Sequence, residues 1–268
     1  MATHSKQASH LFFAVTMIGI GVIGLLSAKF APIWAGVPKL APERQLLVYL
    51  STAISLACGV GLLIKRTAAT AALVLLVYLV IWTGLFKVPF IVRQPLVEVS
   101  YQSCGENAVL IAAAWVLFAD FTKARTFPAG DLGLRIAHGL YGLALIAFGF
   151  SHFVYLNLTA PLVPAWLPGH VFWAYLTGGI YLATGAAILV GLFGGLAALL
   201  AAVQITLITL LVWGPGAATG HVSGDAWQET VVSWALTAGA WVLATSYDGS
   251  WLSRLGLGGF ALRPLARG

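Results

Sequence analysis

The sequence predicts an all-α fold: a polytopic membrane helical bundle of about eight transmembrane helices, arranged as two four-helix repeats with the same orientation. Of its 268 residues, 60% are hydrophobic and only 8% are charged, against roughly 25% charged in an average soluble domain. The apolar residues fall in blocks about as long as a bilayer-spanning helix, roughly 20 residues. In addition, residues of the first half recur at a constant distance in the second half.

Helices are favoured over a membrane β-barrel. Within lipid, every backbone polar group must be paired inside the protein, so only helices and closed barrels span a bilayer. Barrel strands alternate apolar with polar residues, whereas segments 69–86 and 192–213 are almost continuously apolar. The predicted helices occupy residues 11–28, 46–64, 68–86, 106–121, 136–156, 171–190, 194–213 and 228–245.

The two halves of the chain correspond at one offset. Pro38 matches Pro164, since 164 − 38 = 126, and Pro89 matches Pro215, since 215 − 89 = 126. The first apolar block, which follows Lys6 as in a secretory signal, then has a mid-chain counterpart and is expected to be retained. Each unit has an even number of spans, so both units enter the membrane in the same direction. The predicted parts are a first repeat at 1–122, a cytoplasmic linker at 123–135, a second repeat at 136–245 and a basic cytoplasmic tail at 246–268.

The placement of basic residues predicts that both termini are cytoplasmic. In that orientation nine of the 14 lysines and arginines lie in cytoplasmic segments and five in outer ones, as the positive-inside rule requires. The net charge of +6 is then a topology signal, so the expected partner is the lipid bilayer and not nucleic acid. Cys58 and Cys104 lack metal-ligand spacing and are interpreted as packing residues, with no metal site expected.

The outer loop of the second half is rich in proline. Prolines at 161, 164 and 168 remove backbone donors and disfavour helix. Irregular backbone at a membrane needs partners within the protein, so we expect this loop to pack as a lid over the bundle. Trp166 lies where an aromatic belt is expected.

This part of the chain resembles the bacterial DoxX-like integral membrane proteins. The four-helix unit of that family has a Gly-x-x-His-Phe-type helix end, a Val-Pro-x-Trp-Leu-Pro-type loop and a second helix rich in small residues. Residues 149–153, 163–168 and 178–189 match these features, and the first half matches them more loosely. Many relatives carry a glutamate where this chain has Tyr181, so a role of that glutamate is not carried over.

The resemblance implies a location in the bacterial plasma (inner) membrane and an association with redox biology. Some relatives are subunits of thiosulfate:quinone oxidoreductase or partners of membrane oxidoreductase complexes. We therefore expect a membrane component of a quinone-linked redox system, with quinone as a candidate cofactor and a membrane or periplasmic protein as redox partner. Stand-alone enzyme activity is not predicted, and no catalytic residue is assigned.

Polar residues at the outer face of the second half form a candidate ligand site. His152 ends the fifth predicted helix, His170 opens the sixth, and Glu229 begins the eighth. An imidazole can hydrogen-bond a carbonyl and exchange protons near neutral pH, so these residues are predicted to line a pocket for a quinone-like or other small apolar molecule. The full set of candidate ligand-binding residues is His152, His170, Trp166, Glu229, Asp225, Lys29 and Glu106. His221 lies in the last outer loop beside them.

Other interpretations remain open. The histidines can be hydrated at the interface, and Glu106 and Glu229 can complement the positive ends of helices. In the first half Lys29, Arg44 and Lys87 make the outer layer cationic, which allows an anion site, although long lysine side chains near helix ends can also snorkel to water. At the level of the whole protein, the alternatives are a carrier built around two repeats and a membrane scaffold without catalytic activity.

Overall fold

The computed structural model describes residues 2–220 and 224–247, and gives side chains from residue 4 onwards apart from that of residue 225. Every regular element within these ranges is helical. The α-helices are α1 (Ala2–Ser27), α2 (Arg44–Leu63), α3 (Ala68–Trp82), α4 (Val88–Arg93), α5 (Glu98–Thr122), α6 (Asp131–Val154), α7 (Leu156–Thr159), α8 (His170–Leu189), α9 (Gly194–Ile208), α10 (Gly214–Thr219) and α11 (Gly224–Ser246). Two π-helical segments, Thr83–Lys87 and Thr209–Trp213, join α3 to α4 and α9 to α10.

Seven described helical stretches are long and apolar enough to cross a membrane, which indicates a multi-pass membrane protein. They are His4–Ser27, Arg44–Leu63, Ala68–Arg93, Glu98–Thr122, Asp131–Val154, His170–Leu189 and Gly194–Thr219. The remaining long helix, α11, carries Gln228, Glu229 and several hydroxyl residues that lower its hydropathy. The membrane bundle is thus confirmed for seven helices, and the eighth span stays a prediction.

The outer surface of these helices is apolar, as expected where lipid is the solvent. On α3, Val77, Val80 and Ile81 are about half exposed, whereas Leu75 and Leu79 on the opposite face are fully buried. In water such exposed apolar rows would favour aggregation. In a bilayer they face acyl chains at no cost, and the buried face supplies the packing.

At the centre of the bundle, α5 and α11 pack against each other, and each also contacts helices of both halves. Their shared interface is built from small residues. Ala113 and Ala238 are fully buried, and a methyl group added at Gly239 would lie 3.0 Å from the Val109 side chain. Small residues let helix backbones approach closely, which is the main route to helix association within lipid. The polar groups on α5 are thereby held at a fixed depth.

From α2 to α4 in the first half and from α8 to α10 in the second half, the helix bounds differ by a constant number of residues. α2 begins at residue 44 and α8 at residue 170, and 170 − 44 = 126. The same difference separates α3 from α9 (194 − 68), the two π segments (209 − 83) and α4 from α10 (214 − 88). In both halves the π segment directly precedes a proline at the second position of the short helix. Proline removes the backbone donor to the preceding turn and its ring needs space there, and the wider π turn supplies that space.

Several of the predicted helices were too short. α1 starts at Ala2 rather than residue 11, and α5 starts at Glu98 rather than residue 106. The third and seventh predicted helices continue through the π segments to Arg93 and Thr219. At the starts of α1 and α5, polar residues extend the helix beyond its apolar block, because a backbone that is already helical loses little by adding a solvated turn.

The structure also corrects the prediction about loops. Pro161 and Leu162 belong to a 3₁₀ turn, Ala160–Leu162, and Trp166 is 70% exposed, so this proline-rich loop does not cover the bundle. The corresponding loop of the first half is the one that packs inward. Trp34 is only 1% exposed there, and its indole Nε1 donates a 2.9 Å hydrogen bond to Ser55 Oγ.

Candidate functional site

Two hydrogen bonds join the π segment of the first half to α5. The Lys87 ammonium donates to Ser103 Oγ at 2.7 Å, and Asn107 Nδ2 donates to Thr83 Oγ1 at 3.1 Å. Thr83 and Lys87 are four residues apart, as are Ser103 and Asn107, so the two bonds lie one turn apart. This pair of bonds fixes the interrupted helix against the central helix of the bundle.

Lys87 is buried, with 5% of its side chain exposed. It does not snorkel to water, contrary to the expectation from its position near a helix end. The loop between α1 and α2 closes over it: a methyl group added at Gly36 would lie 3.5 Å from Lys87 Cδ. The Lys87 ammonium also interacts electrostatically with the carboxylate of Glu106, which in turn interacts with that of Glu229.

Aromatic rings line the neighbouring space between α3 and the first loop. The Trp82 ring lies 5.3 Å from the Trp34 ring, 5.6 Å from Phe30 and 4.6 Å from Phe86, measured between centroids. Trp82 is 2% exposed. Since Trp82 directly precedes Thr83, this aromatic wall adjoins the polar bonds to α5.

Three buried polar atoms of this region lack a hydrogen-bond partner within the part of the chain that the structure describes. They are the Trp82 Nε1 donor, the Asn107 Oδ1 acceptor and the hydroxyl of Tyr78, whose ring lies 5.7 Å from that of Trp82. Each such atom costs about 1–3 kcal/mol if nothing satisfies it. Together with the remaining ammonium protons of Lys87, they offer donors and an acceptor to a small ligand. A molecule carrying a carbonyl or hydroxyl group on a flat apolar ring suits this combination.

The π segment of the second half carries a different group of polar side chains. Thr209 Oγ1 and Thr237 Oγ1 lie 2.8 Å apart, and Thr209 also donates to the Ser233 carbonyl at 3.2 Å. The position equivalent to Lys87 is Trp213, because 213 − 87 = 126. This group is therefore uncharged, and the two halves differ in chemistry although their helix bounds agree.

The predicted histidines lie on α6 and α8 of the second half. The ring of His152 forms a 2.8 Å hydrogen bond through Nδ1 with the Phe148 carbonyl, and its centroid is 5.4 Å from that of Tyr181. His170 is the first residue of α8 and is partly buried. The structure thus brings His152 to the ring of Tyr181.

Two of the cavities among the described residues bear on the candidate residues. One, of about 370 Å³, lies between α1, α9 and α11 and is lined by Ser9, Phe12, Trp234 and several threonines. The other, of about 530 Å³, lies at the end of α1 and includes Lys29. Neither is lined by the predicted residues His152, His170, Trp166, Glu229 and Glu106, nor by Lys87, Asn107 or Trp82. The predicted histidine pocket therefore stays a prediction, and His221 and the side chain of Asp225 lie outside the described residues.

Sequence reasoning missed Ser103 and Asn107 altogether and underestimated Lys87. One signal was present: Ser103 and Asn107 share a helix face at a spacing of four residues. Nothing in the sequence showed that the π turn would direct Lys87 onto that face. For metals, no group of three or more His, Cys, Asp or Glu that could hold an ion is found in the described ranges.

Comparison with known proteins adds no relative. No family model, no curated protein and no solved structure matches the chain.

Proposed function

We propose that the protein is a DoxX-like integral membrane protein that binds a quinone-like molecule at the outer end of its first half, as the membrane component of a redox system. In this proposal the site is formed by Lys87, Asn107 and Trp82 and is closed by the first outer loop. The protein is not a stand-alone enzyme, because electrons come from a membrane or periplasmic partner.

The observation that carries the proposal is the burial of Lys87. An ionisable side chain within a membrane bundle is expensive and is a functional candidate by default. Lys87 is 5% exposed and its one hydrogen bond to a described residue goes to a neutral hydroxyl, that of Ser103. It also sits in a π-helical segment, a distortion that is frequent at functional sites.

The chemistry of the neighbouring groups favours a quinone over other apolar ligands. A quinone carbonyl accepts hydrogen bonds. The Lys87 ammonium and the unpaired Trp82 Nε1 can donate such bonds. The hydroxyl of the reduced form donates a hydrogen bond, and the unpaired Asn107 Oδ1 can accept it. The site therefore offers partners to both redox forms, and the rings of Trp34, Phe30 and Phe86 offer an apolar wall.

The proposal includes the organisation of the chain in the membrane. We place both termini in the cytoplasm of a bacterial cell, α11 as the eighth span, and the two halves as tandem copies with the same orientation. The constant difference of 126 residues between helix bounds, such as 189 − 63 for the ends of α8 and α2, supports the duplication. In this orientation Lys87 faces the outer leaflet, where a periplasmic partner has access.

The test measures quinone retained by the purified protein. Wild type, Lys87→Met and Asn107→Leu are reconstituted in quinone-containing nanodiscs, repurified into quinone-free lipid and analysed by mass spectrometry. We expect retention by wild type and at least a tenfold loss in both variants. Lys39→Met is the matched control, since Lys39 is exposed in the same half. Equal retention in all four proteins, or none in wild type, would contradict the proposal.

A carrier is the second candidate, and one observation favours it. Interrupted helices occur at equivalent positions of both halves, Thr83–Lys87 and Thr209–Trp213, an arrangement found at the substrate sites of transporters. A carrier exposes its site alternately to both sides, whereas a redox subunit of the kind proposed opens to one. Ser103→Cys in a Cys58→Ala/Cys104→Ala background tests this with an impermeant maleimide in sealed vesicles. Labelling from both sides supports the carrier, and labelling from the outside only supports the redox component.

A further inference from the structure

A second site is suggested by the larger of these two cavities, at the end of α1. Of the residues assigned to the quinone site, Phe30 also lines this cavity. The cavity has a volume of about 530 Å³ and lies between the end of α1, the first outer loop and the start of α11. Its lining includes Ile23, Val37 and Trp227 as apolar walls. A volume of this size falls in the range of small-molecule sites, roughly 300–1,000 Å³.

The charged residues that line this cavity in the described part of the chain have one sign. Lys29 and Arg44 line it, and no carboxylate is found among its described lining residues. The Arg44 guanidinium carbon is held 4.9 Å from the centroid of the Phe30 ring, so its position is set by packing. Neither Lys29 nor Arg44 forms an ion pair with an acidic residue in the described part of the chain. The one salt bridge found there joins Lys6 to Asp120 at 3.6 Å.

The buried Lys87 adds a third positive charge behind the wall of the cavity. Gly36 lines the cavity, and a methyl group added to it would lie 3.3 Å from the Phe86 carbonyl oxygen and 3.5 Å from Lys87 Cδ. Gly36 has a φ of +105°, a conformation that a residue with a Cβ rarely adopts. The loop is therefore only one backbone thick between the cavity and Lys87.

We propose that this cavity binds a phosphate group, with Lys29 and Arg44 as its counter-charges. Arginine and lysine are the side chains that bind phosphate most often, arginine through its planar fork and lysine as a point charge. The Gln228 amide can donate a further hydrogen bond from α11. The apolar walls suit a phosphate carried on an apolar body, so the two sources are a phospholipid headgroup and a free phosphate compound.

The experiment uses the full chain in nanodiscs and two probes. Native mass spectrometry counts phosphatidylglycerol retained after transfer into phosphatidylcholine, and calorimetry measures binding of inorganic phosphate. Wild type is expected to retain anionic lipid or to bind phosphate, and Lys29→Gln/Arg44→Gln is expected to do so at least tenfold more weakly. Retention of lipid alone identifies a headgroup site, whereas phosphate binding that displaces the lipid identifies a site for free phosphate compounds.

Matched variants keep the outcome interpretable. Lys39→Gln/Arg93→Gln removes two exposed cations of the same half that do not line the cavity and should match wild type. Unchanged circular dichroism of both double variants shows that the bundle is intact. Equal binding of both probes to wild type and Lys29→Gln/Arg44→Gln would overturn the proposal, as would an equal loss in the control variant. Because Lys87 and Asn107 are unchanged in both, quinone retention should persist, so the two proposals fail independently.

Discussion

Lys87 and Glu106 interact electrostatically across the interface between the π segment and α5, and they form no direct salt bridge in the described part of the chain. The ammonium is bonded to Ser103 Oγ at 2.7 Å, and the carboxylate acts on it electrostatically from three residues further along α5. A buried charge that loses its counter-charge is strongly destabilising, whereas replacing both charges is often neutral.

A double-mutant cycle should reveal this coupling. We expect Lys87→Met to lower the free energy of unfolding more than Lys87→Met/Glu106→Gln does, with an interaction energy of about 0.5–3 kcal/mol. Thermal unfolding in one lipid measures the stability of wild type, the two single variants and the double variant. The exposed Lys39 supplies the control cycle, in which Lys39→Met and Glu106→Gln should be additive. Additivity in both cycles would show that Lys87 and Glu106 do not form a pair.

The two outer-loop tryptophans should differ sharply in their contribution to stability. Trp34 is 1% exposed and Trp166 is 70% exposed. Trp34→Ala removes a large buried side chain and is expected to cost about 3–5 kcal/mol. Trp166→Ala should change stability by less than about 0.5 kcal/mol. Thermal unfolding of the two variants compares them directly, and a larger effect at Trp166 would restore the predicted lid of the second half.

Close packing of α6 against α8 gives a third prediction. A methyl group on Gly185 would lie 2.7 Å from the Gly142 carbonyl oxygen, whereas one on Gly179 of the same helix would meet nothing within 4 Å. Gly185→Ala must push the helices apart and should cost about 1–3 kcal/mol. Gly179→Ala should be neutral or stabilise the helix by up to about 1 kcal/mol. Unfolding temperatures in the reverse order would show that the interface is misplaced.

Cysteine labelling tests the orientation. In a Cys58→Ala/Cys104→Ala background, Arg66→Cys and Leu40→Cys place single thiols in the exposed turns before α3 and before α2. The positive-inside rule predicts that residue 66 is cytoplasmic and residue 40 external. An impermeant maleimide added to intact cells should therefore label only Leu40→Cys. Labelling of Arg66→Cys alone would invert the topology and move Lys87 to the cytoplasmic leaflet.

Much of the helical architecture could be predicted from the sequence, since lipid imposes long apolar segments and forbids other backbone structures within the bilayer. Predicted helices such as 46–64 and 171–190 agree with Arg44–Leu63 and His170–Leu189 to within two residues. The starts of α1 and α5 were missed because their first turns are polar, and hydropathy does not report on a solvated helical turn.

The candidate site was predicted only in outline. The sequence pointed to the ends of the helices that are predicted to face outward. Among the residues that it named, Lys29 lines the larger cavity and the carboxylate of Glu106 interacts electrostatically with Lys87. The sequence placed the main site on His152 and His170 because imidazole groups can bind ligands and exchange protons near neutral pH. The structure directs attention to Lys87, because burial and hydrogen bonding depend on what packs against a side chain and not on its type.

By itself, the sequence determined the solvent of this protein, its helical class and the positions of most long helices, because composition and segment length are local properties. The tertiary structure alone decided which of two similar loops is buried, and that a π turn directs Lys87 towards Ser103 and not towards water. Those outcomes depend on contacts between segments distant in the chain: Trp34 is held by Ser55, and Gly36 lies against Phe86 and Lys87. The structural asymmetry of the two halves lies in these contacts.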